Sequence, residues 1–308
     1  MDTRDVVVAD AFAAEPTGGH PIGVLPGGAD LTDDQLRAVA RELDVAATAV
    51  PTDGPPDRLR AVGPGGPVDH HPQVTVGALA LAAERGWIDA ESASPVTTQG
   101  HQEVTVGNDG RAWVALEGPN PQSVDVGYGA TADALGIDRA AFEDVGADLP
   151  PFCVSVGVEA LAVPVNFLEH LGGASADAGA LRDLTGAVGV DAVCAFTFDA
   201  LAAESACHAR TFAPERYGGA VGPSHWVRTA GTEVPVTPAV AGGIATHLYR
   251  EGVIEDDEPV VEQGHYLDRP GRVYADVAGG VRVGGRAVAS LDGVVAVPPP
   301  EVDDIVEI

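Results

Sequence analysis

Two adjacent histidines, His70 and His71, are followed by a proline and a glutamine in VDHHPQVTVGALALAAERG, residues 68–86. An imidazole titrates near neutrality, so it can move a proton or ligate a metal. Neighbouring residues of an extended chain point to opposite sides, which argues against both rings holding one ion, and no metal centre is expected. His71 is therefore the candidate catalytic acid–base, the alternative being a polar residue that lines a cleft. Gln73 and Thr75 in the same stretch, and His20 on the loop after Gly18 and Gly19, are candidate binding residues beside it. Glu233 and Thr237 in EVPVTPAV either contact a ligand or cap a helix. Arg210 in HARTFAP either pairs with an acid or binds a carboxylate.

The elements that must position these residues follow from local pattern. DVVVADAF is a strand, a Gly/Pro loop returns into a short strand, and LTDDQLRAVARELDV is a helix with Thr32 as N-cap. Asp33 and Asp34 suit its first turn, and Leu36, Val39, Ala40 and Leu43 form one apolar stripe. AATAVPT and DRLRAVG are strands, and HQEVTVGN with AWVALEG forms a hairpin around NDG. Turn-rich EGPNPQSVDVGYG separates a lobe over 1–122 from one over 128–308, with the final strands free to return to the first lobe. In the second half ATADALGI and SADAGALRDLTGAVGV are helices, and PPFCVSVGVEALAVPV, DAVCAFTFDA, HARTFAP and the Gly-punctuated run from Arg272 are strands. The segment over 214–232 reads as a lid or an interface patch, and the last eleven residues as a loose acidic tail. One echo stands out. Residues 75–89 match residues 241–255 without gaps: a small-residue start, an apolar helix, then Arg, Gly and an apolar pair before an acid. That repeat implies two lobes of like design, each with a central helix.

Composition closes several classes. The chain of 308 residues carries 46 acidic and 17 basic residues, a formal charge of -29, and all its basic residues are arginine. Without lysine there is no Schiff base, no lysine nucleophile and no P-loop. Such a charge disfavours nucleic acid and anionic membranes as partners, because counterion release needs clustered cations. A dispersed acidic surface is suited to high salt, where screening relieves self-repulsion, so a halophilic source is expected. No run is long and apolar enough to span a bilayer and the start is charged, so the expected location is cytoplasmic. Cys153, Cys194 and Cys207 read as reduced core thiols.

Stretches along nearly the whole chain resemble the PhzF-type phenazine-biosynthesis isomerases, relatives in fold of diaminopimelate epimerase. They include VADAFAAEPTGGHPIGVLP, QLRAVARELDVAATAV, RTFAP, VPVTPAVAGG and the QG-x-x-x-x-RP core at Gln263, Gly264, Arg269 and Pro270. The resemblance implies an α+β fold of two pseudo-symmetric lobes, each with strands curled around a central helix. It also implies a small-molecule substrate in the cleft between them, a homodimer, and acid–base catalysis with no metal or organic cofactor. The site departs from the family pattern. The glutamate of S-E-T-A-F falls on Ala47; the Cys, Gly and His of C-G-H-A-T-x-G-A fall on His71, Pro72 and Gln73. In E-D-P-x-T-G-S-A, Asp falls on Val234, Gly on Pro238 and Ser on Ala239, while the asparagine of G-G-N-P is His20. Neither methyl nor isopropyl carries a titratable proton, and an amide neither gains nor loses one near neutral pH, so the usual acid–base set is missing. Two functions follow as expectations: an isomerase or epimerase with a rebuilt site, or a non-catalytic metabolite-binding or assembly protein.

Overall fold

A computed structural model describes residues 2–300 apart from 53–57, 64, 69–70, 89–95, 98–99, 102–103, 117, 119–120, 147, 158 and 215–232. His70, nearly all of the 214–232 segment and most of the acidic tail lie outside the described residues.

Among these, a first sheet of eight strands holds β1 (Asp2–Ala11), β2 (His20–Val24), β3 (Thr48–Thr52), β4 (Arg58–Gly63), β5 (Gly66–Pro67), β6 (Val96–Thr97) and β7 (Gly100–His101). A second of eleven strands holds β8 (Val104–Val106), β9 (Ala112–Ala115), β10 (Gln122–Ser123), β11 (Phe152–Ser155), β12 (Glu159–Pro164), β13 (Ala192–Thr197), β14 (Ser205–Phe212), β15 (Glu233–Val234), β16 (Val260–Gln263), β17 (Gly271–Asp276) and β18 (Arg282–Gly285). The last strand, β19 (Ala287–Val297), returns to the first sheet and pairs antiparallel along the whole of β1. The hairpin of β8 and β9 crosses the other way: β9 pairs with β18 in the second sheet, although it precedes the turn-rich segment near residue 122. The two sheets therefore exchange chain in both directions.

Six helices accompany the sheets among the described residues: α1 (Asp33–Glu42), α2 (Pro72–Glu84), α3 (Tyr128–Leu135), α4 (Leu168–Gly172), α5 (Ala178–Val188) and α6 (Pro238–Arg250). The amphipathic α1 starts as its sequence specifies. The Thr32 hydroxyl accepts from the Gln35 N–H at 3.2 Å while the Gln35 side chain accepts from the Thr32 N–H at 2.9 Å, a reciprocal cap. Its buried face is Leu36, Val39 and Ala40.

Helices α2 and α6 are different in kind, apolar on all sides and buried along most of their length, which is what a helix wrapped by a sheet requires. They are also one design used twice. Each has 13 residues and begins on a proline, Pro72 and Pro238. Each is followed two residues past its end by a glycine of positive φ, 66° at Gly86 and 68° at Gly252. A Cβ at Gly77 would meet Ala11 and Ile22 at 2.7 Å, and one at the matching Gly243 would meet Val154 at 2.9 Å. Both helices thus approach their sheets through a missing side chain. One continuous apolar core joins them, with Val7, Ala9 and Val76 from one side and Val154, Ile244, Val273 and Val283 from the other. All three cysteines are free thiols, and burial pushes Cys194 up to about 12 despite a hydrogen bond from Thr211.

Candidate functional site at two helix N-termini

The heads of α2 and α6 carry the candidate residues. His71 is the N-cap of α2 and Thr237 that of α6, and neither side chain caps its helix. Proline at the first helical position is sterically welcome but removes one of the N–H donors that a helix start offers an anion. The same donor is missing from both turns.

Several contacts bring the two halves together at this level. Phe12, at φ 61°, is a bulky residue in the left-handed region, where such side chains are rare. It is held there from both sides: its N–H donates to the Arg286 carbonyl at 2.7 Å and its carbonyl accepts from the Arg272 N–H at 2.8 Å. The Gly18–Gly19 loop that carries His20 is gripped by Arg269. Its Nε donates to the Gly19 carbonyl at 2.9 Å, and its Nη2 to the Gly18 carbonyl at 2.7 Å and to Asp10 Oδ1 at 2.6 Å. Gly19 has φ 45°, and a Cβ there would collide with the Ala11 carbonyl, so only glycine lets the loop turn this tightly. At the other end of the same motif, Gln263 Oε1 accepts from the Thr237 N–H at 2.6 Å, and Gln263 Nε2 donates to the Thr237 hydroxyl at 3.1 Å. One loop, Gln263 to Pro270, therefore holds the His20 loop with its arginine and the α6 turn with its glutamine.

The remaining candidates sort by what they touch. Arg210 and Glu233 form a two-pronged pair, Nε to Oε1 at 2.9 Å and Nη2 to Oε2 at 2.6 Å. Arg210 Nη1 donates to the Leu171 carbonyl at 2.7 Å, and the guanidinium lies 4.6 Å from the centre of the Tyr266 ring. The acid partner, of the two alternatives for Arg210, is the one present. Thr237 is buried, with its hydroxyl 2.8 Å from that of Thr211. Gln73 and Thr75 are buried on the first turns of α2. His20 is fully buried; burial first, then the charges of Arg269 and His71, hold its imidazole at about 3, so the ring is neutral. His71 is partly exposed and close enough to bear on His20 electrostatically. Ala47 and Val234, where the family pattern has its carboxylates, are buried apolar side chains, Ala47 within the main core.

One cluster escapes sequence reasoning. His208 on β14 stands opposite Glu262 on β16 in the parallel pairing, and His265 follows one turn later. The Glu-x-x-His spacing at 262 and 265 is a signal, but nothing in the sequence joins it to His208. Burial pushes the Glu262 carboxyl up, yet hydrogen bonds from His208, the N–H groups of Leu201 and Ala202, and Ser205 outweigh it and hold it at about 2.

Two lobes traded through β19 and the β8–β9 hairpin, each built on a buried helix, define a two-lobed α+β protein of the diaminopimelate-epimerase-like type. The family described as Phenazine biosynthesis-like protein, PhzC-PhzF, matches residues 9–293, and the chain belongs to that family. It is 27% identical to the uncharacterized isomerase YfhB of Bacillus subtilis (strain 168), across 94% of this chain and 98% of the relative. It is 26% identical to an uncharacterized isomerase of Mesorhizobium japonicum, across 95% and 99%. Among solved structures, the Bacillus anthracis phenazine biosynthesis protein of the PhzF family superposes with a TM-score of 0.81 at 21% identity, across 96% of this chain and all of that one. The Enterococcus faecalis PhzF-family protein gives 0.71 at 17%, across 96% and 100%. No helix among the described residues is long and apolar enough to cross a membrane.

Proposed function

We propose that the protein is an isomerase that moves a proton on a small metabolite held between the N-termini of α2 and α6, with His71 as its acid–base. The observation that carries this is the fate of the other titratable candidates. His20 is buried and neutral, Arg210 and Glu233 are consumed by each other, and His71 is the partly exposed imidazole at the head of a helix. One partly exposed imidazole among the described candidates, with buried apolar side chains at Ala47 and Val234, suits a one-base reaction. His71 takes a proton from a carbon beside a double bond, the bond shifts by one position, and the imidazolium returns the proton to the far carbon on the same face. A two-base inversion needs a second group on the opposite face, which neither an alanine nor a valine supplies. With Pro72 and Pro238 each lacking a donor, the preferred ligand is less anionic than a dicarboxylate.

Candidate unsaturated metabolites are incubated with the protein in deuterated water at molar salt and followed by NMR. The expected product retains part of its original hydrogen by internal return, and His71→Asn abolishes turnover. Unchanged turnover in that variant sinks the role of His71. The buried Ala47 and Val234 also favour a second reading, a non-catalytic metabolite-binding protein; a ligand that raises the melting temperature without exchange or turnover supports it.

A further inference from the structure

We propose that His208 and His265, backed by Glu262, form a binding site for a divalent transition-metal ion of the zinc class, separate from the helix N-termini. The ligand atoms of the three residues lie within 4.8 Å of one another. Ligands around a tetrahedral zinc ion are about 3.3 Å apart, given metal–nitrogen bonds of ~2.0 Å, so side-chain rotation has to bring the two ring nitrogens to that spacing while Glu262 stays behind His208.

The arrangement has the parts that metal-binding histidines need. His208 is fully buried; its Nδ1 faces Glu262 Oε2 at 3.2 Å, and its Nε2 has no hydrogen-bond partner among the described residues. A carboxylate behind one ring nitrogen fixes the tautomer and aims the other nitrogen's lone pair at the ion. Glu262 is itself fixed, accepting from the Leu201 and Ala202 N–H groups at 2.8 Å and from the Ser205 hydroxyl at 2.9 Å. The His265 ring sits 4.9 Å from that of His208, and its Nδ1 is likewise buried without a partner among the described residues. An orphaned buried nitrogen is costly, and two of them, on rings whose centres are 4.9 Å apart beside a carboxylate, are accounted for by a cation held by both rings. The nearby Arg272 is matched by Glu204 at 2.8 Å, so its charge is balanced locally. Imidazole nitrogens suit zinc, copper and nickel rather than magnesium or calcium. His265 is partly exposed, which leaves a path for the ion and for water in the remaining coordination positions.

The ion has a defined structural consequence. His265 begins the short turn His265–Leu267 inside the loop that grips both halves of the candidate site. Binding ties that loop to β14 and stabilises the folded state by mass action.

The metal-free protein is titrated with Zn(II) by calorimetry in molar NaCl, which screens diffuse attraction to the acidic surface, and with Co(II) followed by visible absorption. The expected result is one equivalent bound, a raised melting temperature, and an affinity reduced at least tenfold by His265→Gln or His208→Gln. His265 is partly exposed, so its variant keeps the test sound if the buried His208 variant fails to fold. His170→Gln, whose ring bonds Asn166 rather than a member of the cluster, should bind as the parent does. Absence of saturable binding, several weak equivalents, or unchanged affinity in His265→Gln overturns the proposal.

Discussion

Arg269 donates from Nη2 to Asp10 Oδ1 at 2.6 Å, joining the loop that follows β16 to the end of β1. Asp10 is buried, and its other oxygen accepts from the Thr17 N–H at 2.7 Å. Removing the guanidinium leaves a buried carboxylate with one partner and frees the Gly18 and Gly19 carbonyls. Arg269→Ala is expected to cost about 3 kcal/mol, read from urea unfolding midpoints. In a double-mutant cycle with Asp10→Asn the two losses should fall well short of additive; full additivity refutes the coupling.

The buried His20 sets a pH dependence. Its folded value, about 3, lies below the ordinary 6.5 because burial, then Arg269 and His71, oppose the charged ring. Below pH 6.5 the unfolded chain takes up a proton that the folded chain refuses, so stability is full above that pH and falls between 6.5 and 3. The slope is about 1 kcal/mol per pH unit from this residue. His20→Asn removes it. Urea melts at pH 7 and pH 5 should show the parent losing more stability than the variant, and parallel losses contradict the assignment.

The Arg210–Glu233 pair is buried and two-pronged, unlike surface pairs such as Arg85–Asp292. Salt screens the second kind far more than the first. Arg210→Lys cannot reproduce the fork or the contact with Tyr266, so its melting temperature should fall by several degrees, and by the same amount at 0.1 M and 2 M NaCl. Arg85→Gln should have little effect at either. A deficit in Arg210→Lys that vanishes at high salt would show the pair to be an ordinary surface attraction.

The elements with strong local signals were legible in the sequence, and for physical reasons. The α1 helix carries its own cap and stripe, so Thr32, Gln35 and Leu36 specify it without help from the rest of the chain. The gapless repeat located both central helices because a buried helix must be apolar all round and its neighbours must be small. What stayed hidden depends on pairing between distant segments. Whether Arg210 met an acid or a ligand rested on the register of β14 against β15, which sets Phe212 opposite Glu233. The exchange of β8 and β9 into the second sheet has no local cause that a hairpin pattern could reveal. The short helix α4 and the cluster of His208, Glu262 and His265 likewise depend on tertiary contacts.

The repeat makes its own prediction at Gly77 and Gly243. Each is the sixth residue of its helix and faces a sheet with no room for a methyl group, Ala11 and Ile22 in one case and Val154 in the other. On an exposed helix Gly→Ala stabilises by about 1 kcal/mol through propensity. Here overpacking opposes it, at about 1–3 kcal/mol, so Gly77→Ala and Gly243→Ala should each lower the unfolding midpoint. The Gly77 contacts are tighter, and involve the β1 residue whose carbonyl already crowds Gly19, so that variant should lose more. Gly186→Ala on α5, where a Cβ meets nothing within 4 Å, supplies the control and should gain stability. If all three variants gain alike, the helices do not rest on their sheets through these glycines, and the two-fold design is one of sequence only.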